Sequence, residues 1–170
     1  NAADGYCLLY PGPYQVVQLN EGSVELVIGT LMNHIDPRAG IQVEDAAGRT
    51  AEEAADQLLA DYSLPDWNIE RTTMSLGGEE AVVLSNMPGQ DINRRVLVVH
   101  EGRLYSFFFT PFDESVEDVY QQMAQFYATI TESFVFIPVT ASAPLQAGPE
   151  CPEVGKDALL FRNDAQGYCL

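Results

Sequence analysis

Asn93-Arg94-Arg95-Val96-Leu97-Val98-Val99-His100-Glu101-Gly102-Arg103-Leu104-Tyr105-Ser106-Phe107-Phe108-Phe109-Thr110 decides the fold. A run rich in valine and a run rich in aromatics flank Glu101-Gly102, and two such segments around a Gly-containing tight turn predict a β-hairpin. The connection is too short for a crossover, so the pairing is antiparallel.

Upstream, Glu80 to Asn86 contains Ala81-Val82-Val83-Leu84, a strand buried on both faces. Leu76-Gly77-Gly78-Glu79 supplies a Gly-Gly hairpin turn to the strand Asn68 to Ser75, and Met87-Pro88-Gly89-Gln90 is a loop. Before these, Thr50-Ala51-Glu52-Glu53 is a capping box, with the Thr hydroxyl and the Glu53 carboxylate each serving the other's backbone N–H. Ala54, Ala55, Leu58, Leu59 and Tyr62 follow at helical spacing, and Leu64-Pro65-Asp66 ends the helix. Further back lie strands at Tyr6 to Tyr10, Tyr14 to Leu19, Ser23 to Ile28 and Gly40 to Glu44. They are separated by Pro11-Gly12-Pro13, Asn20-Glu21-Gly22 and Asp36-Pro37-Arg38.

Downstream, Ser115-Val116-Glu117-Asp118 reads as a second capping box. It opens a helix whose Val116, Val119, Tyr120, Met123, Phe126, Tyr127 and Ile130 form a broad aromatic stripe facing a sheet. Ser133-Phe134-Val135-Phe136-Ile137 closes the unit. The expected fold class is α+β, an antiparallel sheet covered by two amphipathic helices in an α/β/α sandwich.

The chain also ends as it begins. Asn1-Ala2-Ala3-Asp4-Gly5-Tyr6-Cys7-Leu8 returns as Asn163-Asp164-Ala165-Gln166-Gly167-Tyr168-Cys169-Leu170, with six of eight positions matching. That period is one domain long. It predicts a domain over 1–138, a Pro/Ala/Ser-rich linker over 139–150, and a tail over 151–170 that starts a following repeat unit. A short peptide recurring by chance is the competing reading, and Asn1-Ala2 is also what tag removal would leave. A leader for export would lie upstream. The tail, or an open sheet edge, gives a route to a homodimer.

Twenty-five acidic residues against eight basic ones give a net charge of −17. Such a surface repels nucleic acid and anionic lipid, and no run is apolar enough to insert in a bilayer. The anionic surface suits a basic partner or loosely held divalent cations. Cys7, Cys151 and Cys169 make an odd count, as expected where a pairing partner lies elsewhere in a longer chain. Cys7–Cys151 and Cys151–Cys169 are both open as pairings, beside three inert thiols. Structural disulfides imply an oxidising, extracytoplasmic compartment.

Candidate chemistry is sparse. No nucleophile elbow, zinc-protease motif, phosphate loop or EF-hand spacing occurs, and no metal or cofactor is expected. His34-Ile35-Asp36 is a weak ligand pair, and His100-Glu101 is a polar hairpin end. Arg94-Arg95 either clamps an anion or, as the acidic excess favours, pairs with carboxylates. Glu52, Glu53 and Asp56 lie on the outer side of the first helix. Asp113, Glu114, Glu117 and Asp118 suit the start of the second. Trp67, with Tyr62, Met87 and Tyr127, is the place to expect a cleft between helix and sheet.

Four stretches carry a family resemblance. Asp4-Gly5-Tyr6-Cys7-Leu8-Leu9-Tyr10-Pro11 resembles the Gly-aromatic-x-x-x-x-Pro opening of the Mog1/PsbP-like superfamily. Ile130-Thr131-Glu132-Ser133-Phe134 resembles its closing I-x-x-S-F. Gly77 to Ala81 and Gly102-Arg103-Leu104-Tyr105 also fit, so the resemblance spans about residues 4 to 137. The superfamily includes photosystem-II extrinsic proteins, a Ran-binding factor and bacterial secreted lipoproteins; the secreted bacterial branch best suits the cysteines. The resemblance implies a non-catalytic binding or assembly module with a protein or small apolar ligand as partner. Against this stand a carrier of a small apolar ligand or lipid, which needs a deep cavity near Trp67 and Tyr127, and a hydrolase, which needs converging carboxylates with shifted acidity.

Overall fold

The computed structural model describes residues 1–32, 36–62 and 67–139, together with the backbone at 158–159, 162–163 and 168–169. In chain order the elements are β1 Tyr6–Cys7, β2 Tyr10–Pro11, β3 Tyr14–Asn20, β4 Ser23–Ile28, β5 Arg38–Asp45, α1 Ala51–Asp61, β6 Glu70–Leu76, β7 Glu79–Met87, β8 Asn93–His100, β9 Arg103–Thr110, α2 Glu117–Ser133 and β10 Val135–Phe136. Three short strands follow, β11 Ala158–Leu159, β12 Arg162–Asn163 and β13 Tyr168–Cys169.

The predicted hairpin is the middle of the molecule. β8 and β9 lie inside an antiparallel seven-stranded sheet of order β3-β4-β5-β9-β8-β7-β6. Two sets of consecutive hairpins are joined by one non-local seam, where β5 pairs with β9 from Arg38↔Thr110 to Asp45↔Arg103. The tight turns have the chemistry that strand twist demands. Glu101 and Gly102 sit at φ 47° and 77°, and Gly77 and Gly78 at 59° and 90°.

Alternation sends the side chains of each central strand to two different helices. Val96, Val98, Tyr105, Phe107 and Phe109 join the core beneath α2, with Met123, Phe126, Ile130 and Phe134. Leu97, Leu104, Val82, Leu84 and Met87 pack beneath α1 against Ala54 and Ala55. Each large side chain removed from water contributes roughly 1.5–3 kcal/mol. The α2 side is the heavier layer, with Phe107 meeting Phe134 edge-on at 5.2 Å and Tyr14 stacked on Phe126 at 4.0 Å.

Helix α1 starts as expected. Thr50 Oγ1 accepts from the N–H of Glu53, and Glu53 accepts from the N–H of Thr50. Helix α2 does not. It begins at Glu117 behind Val116, without a side-chain cap. The Ser115 N–H and hydroxyl are instead taken by Asp113 in the turn before the helix, so the expected second capping box does not form. The strand expected over Tyr6 to Tyr10 is split. The Leu9 N–H goes to Ser133 Oγ at 2.8 Å, β1 pairs with β10, and β2 pairs with β11. In the tail, Tyr168–Cys169 pairs with Arg162–Asn163, while Ala158–Leu159 lies along Tyr10–Pro11. The helix-ending Leu64-Pro65-Asp66, His34, Cys151 and all but the first residue of the proposed linker lie outside the described residues.

Two substitution pairs test this packing in urea denaturation. A Cβ on Gly77 would stand 2.7 Å from the Phe136 ring, whereas one on Gly78 meets open space. Gly77→Ala is expected to cost about 2–4 kcal/mol, against about 1 for Gly78→Ala. Thr50→Ala should cost about 1 kcal/mol, and Ser115→Ala less than about 0.5, because only Thr50 caps a helix.

Candidate functional site

Trp67 emerges between α1 and β6 at one end of the sheet, 45 % exposed, with its indole N–H donating to the Asn86 carbonyl at 2.6 Å. That carbonyl is turned by a bulge. The β7–β8 register shifts between Leu84 and Met87, and Asn86 takes φ 59°. A bulge of this kind bends the strand and re-aims what it carries.

The loop after the bulge is wound around a buried amide. Asn93 is 1 % exposed, and its Nδ2 donates to the carbonyls of Met87, Pro88 and Asp91 at 2.9, 3.2 and 3.3 Å. Gly89 comes so close that a Cβ there would sit 2.9 Å from the same nitrogen. On the other side, the Phe112 N–H donates to the Ile92 carbonyl at 2.7 Å, which fixes the β9–α2 connection beside the loop.

Between these walls opens a cleft of about 420 Å³. Trp67, Ile92, Pro111, Val116 and Val119 make it apolar, and Gln90, Asp91 and Asp113 rim it. Trp67 and Val116 are two of the few large apolar side chains left in water, and they share this cleft. Bonds from the Ser115 hydroxyl and N–H hold Asp113 below the usual carboxylate range, so it is a firm anion at neutral pH.

The four residues expected to line one cleft do not converge. Tyr62 and Met87 belong to the core under α1, where Met87 is fully buried. Tyr127 lies on the opposite face of the sheet, edge-on to Phe109 at 4.9 Å, with its hydroxyl on Met74 Sδ at 3.1 Å. The two helices sit on different faces, so only Trp67 reaches the opening. Val116 and Val119, which the helical periodicity puts in the core stripe, line this cleft. The helix starts one residue later than expected, which leaves Val116 as its N-cap.

Other candidates resolve into structure. His100 Nδ1 lies 2.9 Å from Glu79 Oε1, and its ring stacks on Phe136. Glu52 and Asp56 bind Arg71. Arg94 and Arg95 point to opposite faces, and neither pairs with a carboxylate among the described residues, contrary to the expectation for that pair. Arg94 lies over the Phe112 ring at 3.8 Å with Nε on Ser85 Oγ, while Arg95 lies over Phe108 at 4.1 Å. Cys7 is buried in β1, and no disulfide forms among the described residues. No group of three metal-ligating side chains converges among them either. No helix there is long and apolar enough to cross a membrane.

No family model matches the sequence, and no curated protein does. Among solved structures, the chain is similar to cyanobacterial PsbP (CyanoP) from Synechocystis sp. PCC 6803. The TM-score is 0.52 at 15 % identity, over 80 % of this chain and 89 % of that one. The chain therefore has a PsbP-like fold.

The cleft depends on one amide. Asn93→Ala leaves three carbonyls short of a donor and is expected to cost about 2–3 kcal/mol. It should also shift the emission of Trp67, the chain's single tryptophan, before global unfolding in a denaturant series. A Trp67 signal that moves only with the global transition would show that Asn93 does not shape the cleft.

Proposed function

We propose that this chain is a non-catalytic, extracytoplasmic binding or assembly module that docks a partner protein through the Trp67 cleft. The observation that carries this reading is the pairing of exposed Trp67 and Val116 over an apolar floor with Asp91 and Asp113 at the rim. A segment with an apolar anchor and a flanking basic residue matches both halves of that surface. The charge of the whole chain favours the same partner. The six arginines whose side chains are described are all held by protein groups: Arg38 by Glu25, Arg49 by Glu44, Arg71 by Glu52 and Asp56, Arg94 by Ser85, Arg95 by Asn93, and Arg103 by the Ala3 carbonyl. Carboxylates in excess are left to face solvent and draw basic surfaces in.

A carrier of lipid would need space between α2 and the sheet. Rings of Phe107, Phe109, Phe112, Tyr127 and Phe134 fill that seam. A hydrolase would need a carboxyl group held protonated in the cleft, and Asp113 is shifted the other way. The extracytoplasmic placement rests on the three cysteines and the resemblance to secreted bacterial members.

Titrating Trp67 fluorescence with a short peptide alternating leucine and arginine tests the reading. A saturable change is expected, weakened by salt and reduced about tenfold by the double change Asp91→Asn and Asp113→Asn. Equal response to a leucine–glutamate peptide, or no response to either at millimolar concentration, overturns it.

A further inference from the structure

A second cavity lies on the α1 face of the sheet, away from the Trp67 cleft. Helix α1 packs mainly on β7 and β8, so Ser106 of β9 and Gln42 of β5 stand beside the helix rather than under it. A cavity of about 200 Å³ opens there, between Leu58 of α1 and the sheet residues Leu97, Leu104, Ser106 and Gln42. Arg95 reaches into it.

Arg95, like Arg94, makes no ion pair with a carboxylate among the described residues. Its Nε donates to Asn93 Oδ1 at 3.1 Å, its plane rests on Phe108, and the Tyr62 hydroxyl is its other partner. Burial pulls it below the ordinary arginine range, yet a guanidinium stays charged. Arg49 also borders the cavity but is spoken for. Its Nε, Nη1 and Nη2 donate to the Ala46 carbonyl, Gln57 Oε1 and Glu44 Oε1. A half-buried cation with no anion beside it among the described residues carries a desolvation cost that a bound anion would offset.

We propose that this cavity binds a small monocarboxylate with an apolar body. The carboxylate would lie against the Arg95 guanidinium, within reach of Ser106 and Gln42, and the body against Leu58, Leu97 and Leu104. The guanidinium fork fits a planar carboxylate. Glu44 on the rim and the net charge of −17 work against a doubly charged phosphate. The carboxylate comes either from a free acid or from the C-terminus of a peptide.

Amide-resolved NMR titration tests this with benzoate, benzamide, inorganic phosphate, and acetyl-leucyl-leucine with a free or an amidated C-terminus. Saturable shifts at Leu58 and Ser106 are expected with benzoate or with the free-terminus peptide, the first marking a free acid and the second a chain terminus. Arg95→Met keeps the stacking volume over Phe108 and should weaken binding at least about tenfold. Leu58→Phe narrows the cavity with Arg95 in place and should also weaken it, which preserves the test if the arginine variant does not fold. Shifts with benzamide or phosphate equal to those with benzoate, undiminished binding in both variants, or no shift with any carboxylate overturns the proposal.

Discussion

The seam between β5 and β9 holds the rest in place. Every other pairing in the main sheet joins strands that are neighbours in sequence. The β5–β9 register joins strands far apart in the chain, from Arg38↔Thr110 to Asp45↔Arg103, so it carries most of the loop-closure entropy of the sheet. What offsets that cost is the α2-side core. Ile41 and Ala39 of β5 face Phe107 and Phe109 across the seam, and α2 closes over them with Phe126 and Ile130. A register slip of one residue would turn the Phe107 and Phe109 rings to the other face, where α1 offers only a narrow alanine-rich stripe. The heavy core and the light core thus fix the sheet together.

That asymmetry also sets where surface is left for binding. Helix α1 approaches closely because Ala54 and Ala55 face the sheet, but it covers only the β7–β8 side. Beside it the sheet face carries Gln42, Ser106 and Arg95 next to Leu97 and Leu104. Helix α2 covers its face well, yet begins late, and the residues before it are left at the sheet end beside Trp67. Asn93 sits between the two openings. Its amide nitrogen gathers the carbonyls of the cleft loop, and its oxygen holds the Arg95 Nε. One buried side chain therefore braces a wall of each site from the start of a central strand.

How much of this the sequence discloses follows from the range of the interactions. The central hairpin, the Gly-Gly turn and the Thr50 capping box depend on residues within a few positions of one another, and each is found where the pattern puts it. The Trp67 cleft depends on a bulge at Asn86, a buried amide at Asn93 and a connection passing beside them, none of which has a local pattern. Ser115 misleads because Asp113, two residues earlier, takes the N–H that a capping box would give to Asp118. Strand alternation alone would have separated Arg94 from Arg95, since adjacent strand residues face opposite ways. The acidic excess suggested carboxylate partners for both, and the aromatic neighbours on each face took that place.

The distribution of charge gives those two arginines their meaning. Arg38, Arg49 and Arg71 sit at the margins of the fold, where carboxylates are plentiful, and each is neutralised there. Arg94 and Arg95 lie in a central strand, where the flanking side chains are aromatic or neutral. Arg94 lies against Phe112, Tyr127 and Ser85, so its charge is stabilised by two ring faces and a hydroxyl. Arg95 has one ring and a cavity beside it. The same residue type, one position apart, thereby rests on the rings beside α2 on one face and lines a pocket beside α1 on the other.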